Sequence, residues 1–283
     1  MDEVKKMDDK EMKSEKSFAE EMATKIYEDG GVPIVKHTGE LLGLIPRAIK
    51  AALAPLEKWV LQKEYNIEET KKLLEEKLKN VSPDLIESPD AHVAVPALQY
   101  ISYCMDNEEL RNMYANLLAN SMNKVVKNGV HPGFVEIIKQ LCPDEAKILR
   151  YLSTHYTIPT VTLRYEEDKG GGGINIITNF SNIGEICHCE NPYDINKYFN
   201  NLVRLGLLEA SQALSTLTDK NLYKPLEEHF YIQARMNESV IKKAGYDKST
   251  FIEGFMMLTD YGKAFCSICV NDIKTTTGVV VIK

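Results

Sequence analysis

The chain has 283 residues, of which 44% are apolar and 27% are charged. It can therefore bury a substantial core, and its length predicts two domains at usual domain sizes. The formal net charge of -7 excludes a general polyanion-binding protein, because duplex binding rests on a basic surface that displaces counterions.

Residues 1–35 are predicted to form a charged, flexible arm. Residues 1–30 mix ten acidic with six basic side chains and have neither the basic start nor the continuous apolar stretch of a secretory signal. A cytoplasmic location is therefore expected, and thiols are kept reduced in the cytoplasm. The six cysteines are accordingly predicted to be free thiols; they are Cys104, Cys142, Cys187, Cys189, Cys266 and Cys269.

The most apolar segment of the chain covers residues 37–63. Its large side chains recur at helical spacing and form one helix face, here called the apolar stripe, which includes Ile45, Ile49, Leu53, Leu56 and Trp59. Two prolines and four charges between residues 41 and 61 exclude a membrane-spanning helix. The apolar stripe is predicted either to contact a membrane surface or a partner, with Trp59 as an interfacial anchor, or to pack in the core, which is favoured.

A helical domain is predicted over residues 36–155. One helix is expected to begin at Pro96, which suits a first helical turn. Another is predicted over residues 107–127, with Leu117 on a wide apolar face and a narrow polar stripe of Asn112, Asn116, Asn120 and Asn123. Such a helix is mostly buried.

The stretch "HPGFVEIIKQLCPDEAKIL", residues 131–149, has the residue types of a catalytic centre. Its prolines, Pro132 and Pro143, instead fit the first turns of two successive helices. Asp144 and Glu145 then fall in a first turn, where the helix dipole favours negative charge. The stretch is therefore predicted to be a joint between helices.

The words "YISYCMDNEELRNMYANLLANSM" and "HPGFVEIIKQLCPDEAKIL" together resemble the abortive-infection alpha family, which is linked to bacterial defence against phage. The resemblance runs from about residue 40 to residue 152. It implies a role in phage defence and identifies no active residue.

Residues 156–283 are predicted to form a second, α+β domain. The strand-like segments "TVTLRYEED" and "INIITNF" are joined by Lys169 and four glycines, which predicts a hairpin. Two helices follow, and with "LVRLGLLE" and a late "LTDYGKAF" the order looks like a winged helix. The expected fold class is therefore mainly α, with an N-terminal helical domain followed by a winged-helix-like domain.

Winged helices often bind DNA, but the charge of this one argues otherwise. Residues 181–210 contain four acidic and two basic side chains, whereas duplex recognition requires the opposite balance. A structural or protein-binding role is favoured. The DNA-binding alternative would use Asn196, Lys197, Asn200 and Arg204.

Two patterns suggest other chemistry. Cys187, Cys189, Cys266 and Cys269 would offer four thiolates to zinc, although a C-x-C spacing is unusual for a structural site. Arg150 and His155 resemble the loose R-x4-H pattern of HEPN ribonucleases, in which the pair would hold and protonate the scissile phosphate. Short patterns of this kind arise readily by chance, so neither is favoured, and no metal or cofactor is predicted.

The function predicted from the sequence is therefore non-enzymatic phage defence through protein or membrane contact. A protein partner or a homo-oligomer is expected, a membrane surface is a further candidate partner, and DNA is not an expected one. The alternatives are a HEPN-like ribonuclease and a winged-helix DNA-binding regulator.

Overall fold

The computed structural model of the protein describes residues 45–54, 67–168, 171–211 and 215–272. Its contacts divide the chain into two units, Met1–Arg47 and Ala48–Lys283. Only residues 45–47 of the first unit are described, and the other described residues belong to the second. The predicted arm lies outside the described residues, as do Leu56 and Trp59 of the apolar stripe.

The fold is mixed α+β with a helical majority. The first half contains α1 at residues 45–53, α2 (Ile67–Leu78), α3 (Ala91–Ile101), α4 (Glu108–Ser121), α5 (Gly133–Lys139) and α6 (Pro143–His155). The second half opens with β1 (Thr157–Glu166), β2 (Gly173–Phe180), α7 (Ile183–Ile186), α8 (Ile195–Arg204) and β3 (Leu208–Ala210). It continues with α9 (Lys224–Glu227), α10 (Phe230–Gln233), α11 (Glu238–Lys243), β4 (Lys248–Leu258), α12 (Asp260–Phe265) and a π-helical turn over Cys266–Val270.

The four strands form one antiparallel sheet in the order β2, β1, β4, β3. Strand β1 pairs with β4 along its whole length, from Thr157 opposite Met257 to Glu166 opposite Lys248. The pairing of β1 with β2 confirms the hairpin predicted around the glycine run. One sheet face packs on the segment between β3 and β4, which buries Tyr223, Leu226, Ile232 and Ile241.

Helix α1 buries the described part of the apolar stripe. Ile45, Ile49 and Leu53 are buried, and the carbonyl of Ala52 accepts a hydrogen bond from the Ser88 hydroxyl at 2.8 Å. Among the described residues, no helix is both long and apolar enough to cross a bilayer.

Helix α4 is shorter than the helix predicted over residues 107–127, because it ends at Ser121. Beyond that point the backbone bonds to a distant segment. The Glu87 amide donates to the Met122 carbonyl at 2.8 Å, and the Lys124 amide donates to the Leu85 carbonyl at 2.9 Å. These tertiary hydrogen bonds replace the intrahelical ones and end the helix.

The polar stripe of α4 binds the π-helical turn over Cys266–Val270, here called the C-terminal turn. The Asn116 side-chain amide donates to the Cys269 carbonyl at 3.2 Å, and that of Asn120 donates to the Ile268 carbonyl at 2.8 Å. Carbonyls at a helix end lack intrahelical partners, so two buried asparagines satisfy the end of this turn. The domain boundary predicted at residue 155 lies inside the unit Ala48–Lys283.

Pro96 lies inside α3, so the helix start predicted there is wrong. The helix begins at Ala91, immediately after Asp90. An interior proline removes one intrahelical hydrogen bond, and the apolar residues that α3 buries, among them Val93 and Ile101, offset that loss.

Residues 131–149 are a joint between α5 and α6, as predicted. Pro132 precedes the first residue of α5, and Pro143 is the first residue of α6. Glu145 closes a capping box by accepting from the Cys142 amide at 2.8 Å.

Leu117→Ala is expected to lower the free energy of unfolding by about 3 kcal/mol. Leu117 is fully buried in α4, so truncation removes apolar contact and leaves a cavity. Urea denaturation measures the change, with Val125→Ala as the exposed control that alters stability by no more than about 0.5 kcal/mol. A Leu117→Ala protein as stable as the parent would show that this face is not core.

Candidate functional site

A buried carboxylate at the start of α6 holds the loop over residues 187–194. Asp144 is 5% exposed. Its carboxylate accepts from the amides of Glu190 and Asn191 at 2.9 and 3.1 Å and from the Tyr198 hydroxyl at 2.8 Å. Three donors from the second half of the chain therefore converge on one side chain of the first half.

The hydrogen bonds decide the charge of Asp144. Desolvation on burial raises the pKa of its carboxyl, but the bonds from the Glu190 amide, the Tyr198 hydroxyl and the Asn191 amide, together with Lys147, outweigh burial and hold the pKa below its ordinary value. Lys147 lies 3.5 Å from the carboxylate and donates to the His188 carbonyl at 2.9 Å. The loop is therefore held by an ionised group.

Gly184 of α7 allows the same loop to approach closely. A Cβ atom on this residue would lie 2.3 Å from the Pro192 carbonyl oxygen and 2.8 Å from its Cα, which is closer than nonbonded atoms can pack. The approach brings the next residue, Tyr193, beside α7. Its hydroxyl donates to Oε1 of Glu185 at 2.9 Å.

His229, immediately before α10, completes this cluster. Its Nδ1 accepts from the Tyr231 amide at 3.2 Å and caps α10. A neutral ring whose Nδ1 accepts carries its proton on Nε2, and Nε2 lies 3.0 Å from Oε2 of Glu185. The cluster of Glu185, Tyr193 and His229 thus engages both carboxylate oxygens and both ring nitrogens.

Three aromatic rings, here called the aromatic surface, stand on this cluster: Tyr193, Phe230 and Tyr231. Tyr193 and Tyr231 stack with centroids 5.2 Å apart and an interplanar angle of 2°, and Phe230 stands at 89° to Tyr193 at 5.9 Å. Tyr231 also stacks on buried Phe180 of β2 at 5.6 Å. Because Phe230 is 64% exposed and Tyr193 is 42% exposed, two of the rings are open to a partner.

Hydrogen bonds engage the titratable groups of the cluster. A general base needs a ring nitrogen free to take a proton, whereas both nitrogens of His229 are engaged. The hydrogen bond to Glu185 raises the pKa of the Tyr193 phenol, so this hydroxyl stays protonated at neutral pH. Exposed aromatic rings on a rigid base are the residues that anchor protein interfaces.

Arg150 and His155 both lie in α6 and have separate partners. An Nη atom of Arg150 lies 2.8 Å from Oε2 of Glu109. The ring of His155 stacks on Tyr151 at 3.9 Å and 4°, and its Nδ1 lies 2.9 Å from the Thr154 hydroxyl. One nitrogen of the guanidinium that the ribonuclease alternative assigns to the phosphate is therefore paired with Glu109.

The four cysteines of the zinc alternative lie in two places. Cys187 and Cys189 belong to the loop held by Asp144, and Cys266 and Cys269 belong to the C-terminal turn. Burial raises the pKa of Cys187 to about 11 and those of Cys189 and Cys266 to about 12, whereas zinc binds the thiolate. In the described part of the chain, no three His, Cys, Asp or Glu side chains are grouped to hold a metal ion.

The residues of the DNA alternative lie on α8, where Asn196 is half-buried and Asn200 is exposed. Arg204 donates to the side chains of Gln140 and Asn201, at 3.0 Å and 2.6 Å for the shortest bond to each. Lys197 lies 3.6 Å from Asp194. Arg204, the longest basic side chain of α8, is thus hydrogen-bonded to other side chains of the protein.

Glu185, Tyr193 and His229 are not among the site residues predicted from the sequence. Glu185 lies in α7, Tyr193 lies in the loop after α7, and His229 lies immediately before α10. No local sequence spacing therefore connects them. The sequence signal closest to these residues is Gly184, where the close approach of the Pro192 backbone requires a residue without a Cβ atom.

Comparison with known proteins gives one family and one structure. A family model described as abortive infection alpha matches residues 62–269, a range that contains Asp144 and the whole aromatic surface. No curated protein matches the chain. An uncharacterized protein from the hydrocarbon-degrading marine bacterium Alcanivorax borkumensis SK2 matches over 48% of this chain and 90% of its own, with 19% identity and a TM-score of 0.34.

Proposed function

Because the chain belongs to the abortive infection alpha family, we propose that it acts in bacterial phage defence by contacting a protein partner, without catalysis of its own. The aromatic surface is the observation that carries this proposal. Phe230 and Tyr193 expose large rings to solvent, although burying such rings stabilises a protein strongly. Burial of these rings by a partner therefore stabilises the complex.

The rigidity of the surface supports the same proposal. Tyr193 is held by Glu185 through its hydroxyl and by Tyr231 through ring stacking. Rings that are already fixed lose little conformational entropy when a partner binds, and this preorganisation favours affinity.

Two further observations favour binding over the alternatives. Both nitrogens of His229 are engaged, which leaves the histidine–carboxylate pair without a free ring nitrogen, and Arg150 is paired with Glu109. The order of α7, α8, β3 and β4 supports the winged-helix interpretation, and the acidic balance of residues 181–210 favours a protein-binding use of that fold over DNA binding.

A plaque assay with phage tests the proposed function. The double variant Tyr193→Ala, Phe230→Ala is expected to lose protection while keeping its helical circular dichroism, because it removes the two exposed rings. Tyr103→Ala is the matched control, since Tyr103 is 71% exposed in the turn after α3 and is expected to keep protection. Full protection by the double variant would refute the proposal.

Arg150→Ala and His155→Ala are each expected to leave phage protection intact. Arg150 makes a partly exposed ion pair, and such pairs contribute at most about 1 kcal/mol to stability. Protection is measured by the same plaque assay on variants shown to be folded. Loss of protection in either variant, with RNA cleavage by the parent protein, would favour the ribonuclease alternative.

A further inference from the structure

We propose that the aromatic surface binds a cationic side chain, an arginine or lysine on a basic segment of the partner protein. This inference rests on the proposed function and adds the chemistry of the partner. Three observations carry it: a guanidinium already bound over Tyr231, two exposed rings at right angles, and a carboxylate without a lysine or arginine partner among the described residues.

The first observation is a cation bound within the chain. The Arg235 guanidinium lies over the ring of Tyr231, 4.1 Å from its centroid, and also donates to the Tyr231 carbonyl. The face of an aromatic ring carries partial negative charge and attracts a cation within about 6 Å. The stack therefore already contains a cation–π contact, which is the interaction that we propose for the partner.

The second observation is the open corner beside that stack. Tyr193 and Phe230 meet at 89° with centroids 5.9 Å apart, and both are exposed. Two perpendicular rings can contact one side chain from two sides, with the alkyl stem against one ring and the charged head against the other. An arginine or lysine side chain has this combination of parts.

The third observation is the charge beneath the corner. Glu185 accepts from the Tyr193 hydroxyl at 2.9 Å and lies 3.0 Å from Nε2 of His229, so its carboxylate is held at the base of the corner. Among the residues that the structure describes, no lysine or arginine pairs with Glu185. Residues 183–194 contain three acidic and no basic side chains.

This charge selects among the possible occupants. Anionic lipid and nucleic-acid phosphate would both be repelled by the acidic segment. A purely apolar partner would bury the Glu185 carboxylate without a counter-charge, which is costly. A basic polypeptide segment satisfies the rings and the carboxylate together.

The test uses the full chain and a fluorescently labelled pentapeptide, Gly-Arg-Gly-Arg-Gly, whose binding is followed by fluorescence anisotropy up to millimolar concentration. The arginine peptide is expected to bind, and binding is expected to weaken as salt rises. The same peptide with glutamine in place of arginine is expected not to bind. Equal binding of the two peptides, or no binding of either, would overturn the inference.

Two variants separate the cationic contribution from apolar contact. Glu185→Gln and Phe230→Leu are each expected to weaken arginine-peptide binding by about five- to tenfold, since the first removes the charge and the second keeps an apolar side chain without an aromatic face. Tyr103→Ala is expected to bind as the parent does. Parent-like binding by both test variants would contradict the inference.

The plaque assay distinguishes this inference from the proposed function. If the double variant lacking both rings loses protection while Phe230→Leu keeps it, the contact surface stands and the cationic partner is refuted. If the double variant protects fully while the arginine peptide binds as expected, the cation site stands and the proposed function is refuted. Loss of protection in Phe230→Leu supports both.

Discussion

Replacing Asp144 by alanine is expected to lower the free energy of unfolding by on the order of 5 kcal/mol. The substitution removes one acceptor from three donors, the amides of Glu190 and Asn191 and the hydroxyl of Tyr198. Each hydrogen bond to a charged acceptor contributes about 1.5 to 3 kcal/mol. The loop that carries Tyr193 also loses its anchor to α6.

Urea denaturation of purified proteins measures this loss. Asp168→Ala is the matched control, because Asp168 is exposed and its ion pair with Lys248 at 3.6 Å is a surface one; the stability of this variant is expected to change by no more than about 0.5 kcal/mol. Equal stability of the two variants would show that the Asp144 hydrogen bonds contribute nothing to the fold.

The same carboxylate predicts a pH dependence. The pKa of Asp144 is lower in the folded protein than its ordinary value of 3.8, so the folded state favours the ionised form. The stability from this group is therefore fully present well above pH 3.8 and is lost as the pH falls through the folded-state pKa. The urea midpoint of the parent is expected to fall in that acidic range more steeply than that of Asp144→Ala.

Local signals in the sequence predicted the joint between α5 and α6 correctly. Pro143 fixes the first turn of α6, and Glu145 closes its capping box, and both effects act within a few residues. The hairpin of β1 and β2 was predictable for the same reason, since a glycine run between two strand-like segments closes a turn.

Tertiary contacts account for the errors. The end of α4 is set by hydrogen bonds from Glu87 to Met122 and from Lys124 to Leu85, which no window of sequence contains. Pro96 predicts a helix start because it lacks an amide proton. The packing of α3 instead accommodates Pro96 in the helix interior. At the end of α4 a distant segment decides the local structure.

The candidate site was not predictable from spacing. His229 and Glu185 are 44 residues apart in sequence and meet because the segment between β3 and β4 folds back over the sheet. Asp144 was predicted only as a residue of a first turn, and its three donors come from the loop and helix after α7. The residue types were visible in the sequence, but their convergence depends on the topology.

The apolar stripe gives the other large expected effect, at Leu53. Leu53→Asp is expected to cost more than about 5 kcal/mol, because it removes a buried apolar side chain and buries an unpaired carboxylate. Leu53 is 7% exposed, and Ile49 on the same face is 1% exposed. Packing against the protein therefore explains the burial of this part of the stripe. The Leu53→Asp protein is expected to be insoluble or unfolded.

The control for Leu53→Asp is Ala51→Asp, which places the same carboxylate at an exposed position of α1 and is expected to leave the thermal midpoint nearly unchanged. Vesicles containing anionic lipid are added to both variants and to the parent, and binding is measured by co-sedimentation. If the stripe docks on lipid instead, Leu53→Asp would remain folded and soluble and would lose only vesicle binding, since an interfacial helix contributes little to the core. We expect the opposite, a loss of stability that is the same with and without vesicles, because the carboxylate is buried by the protein itself.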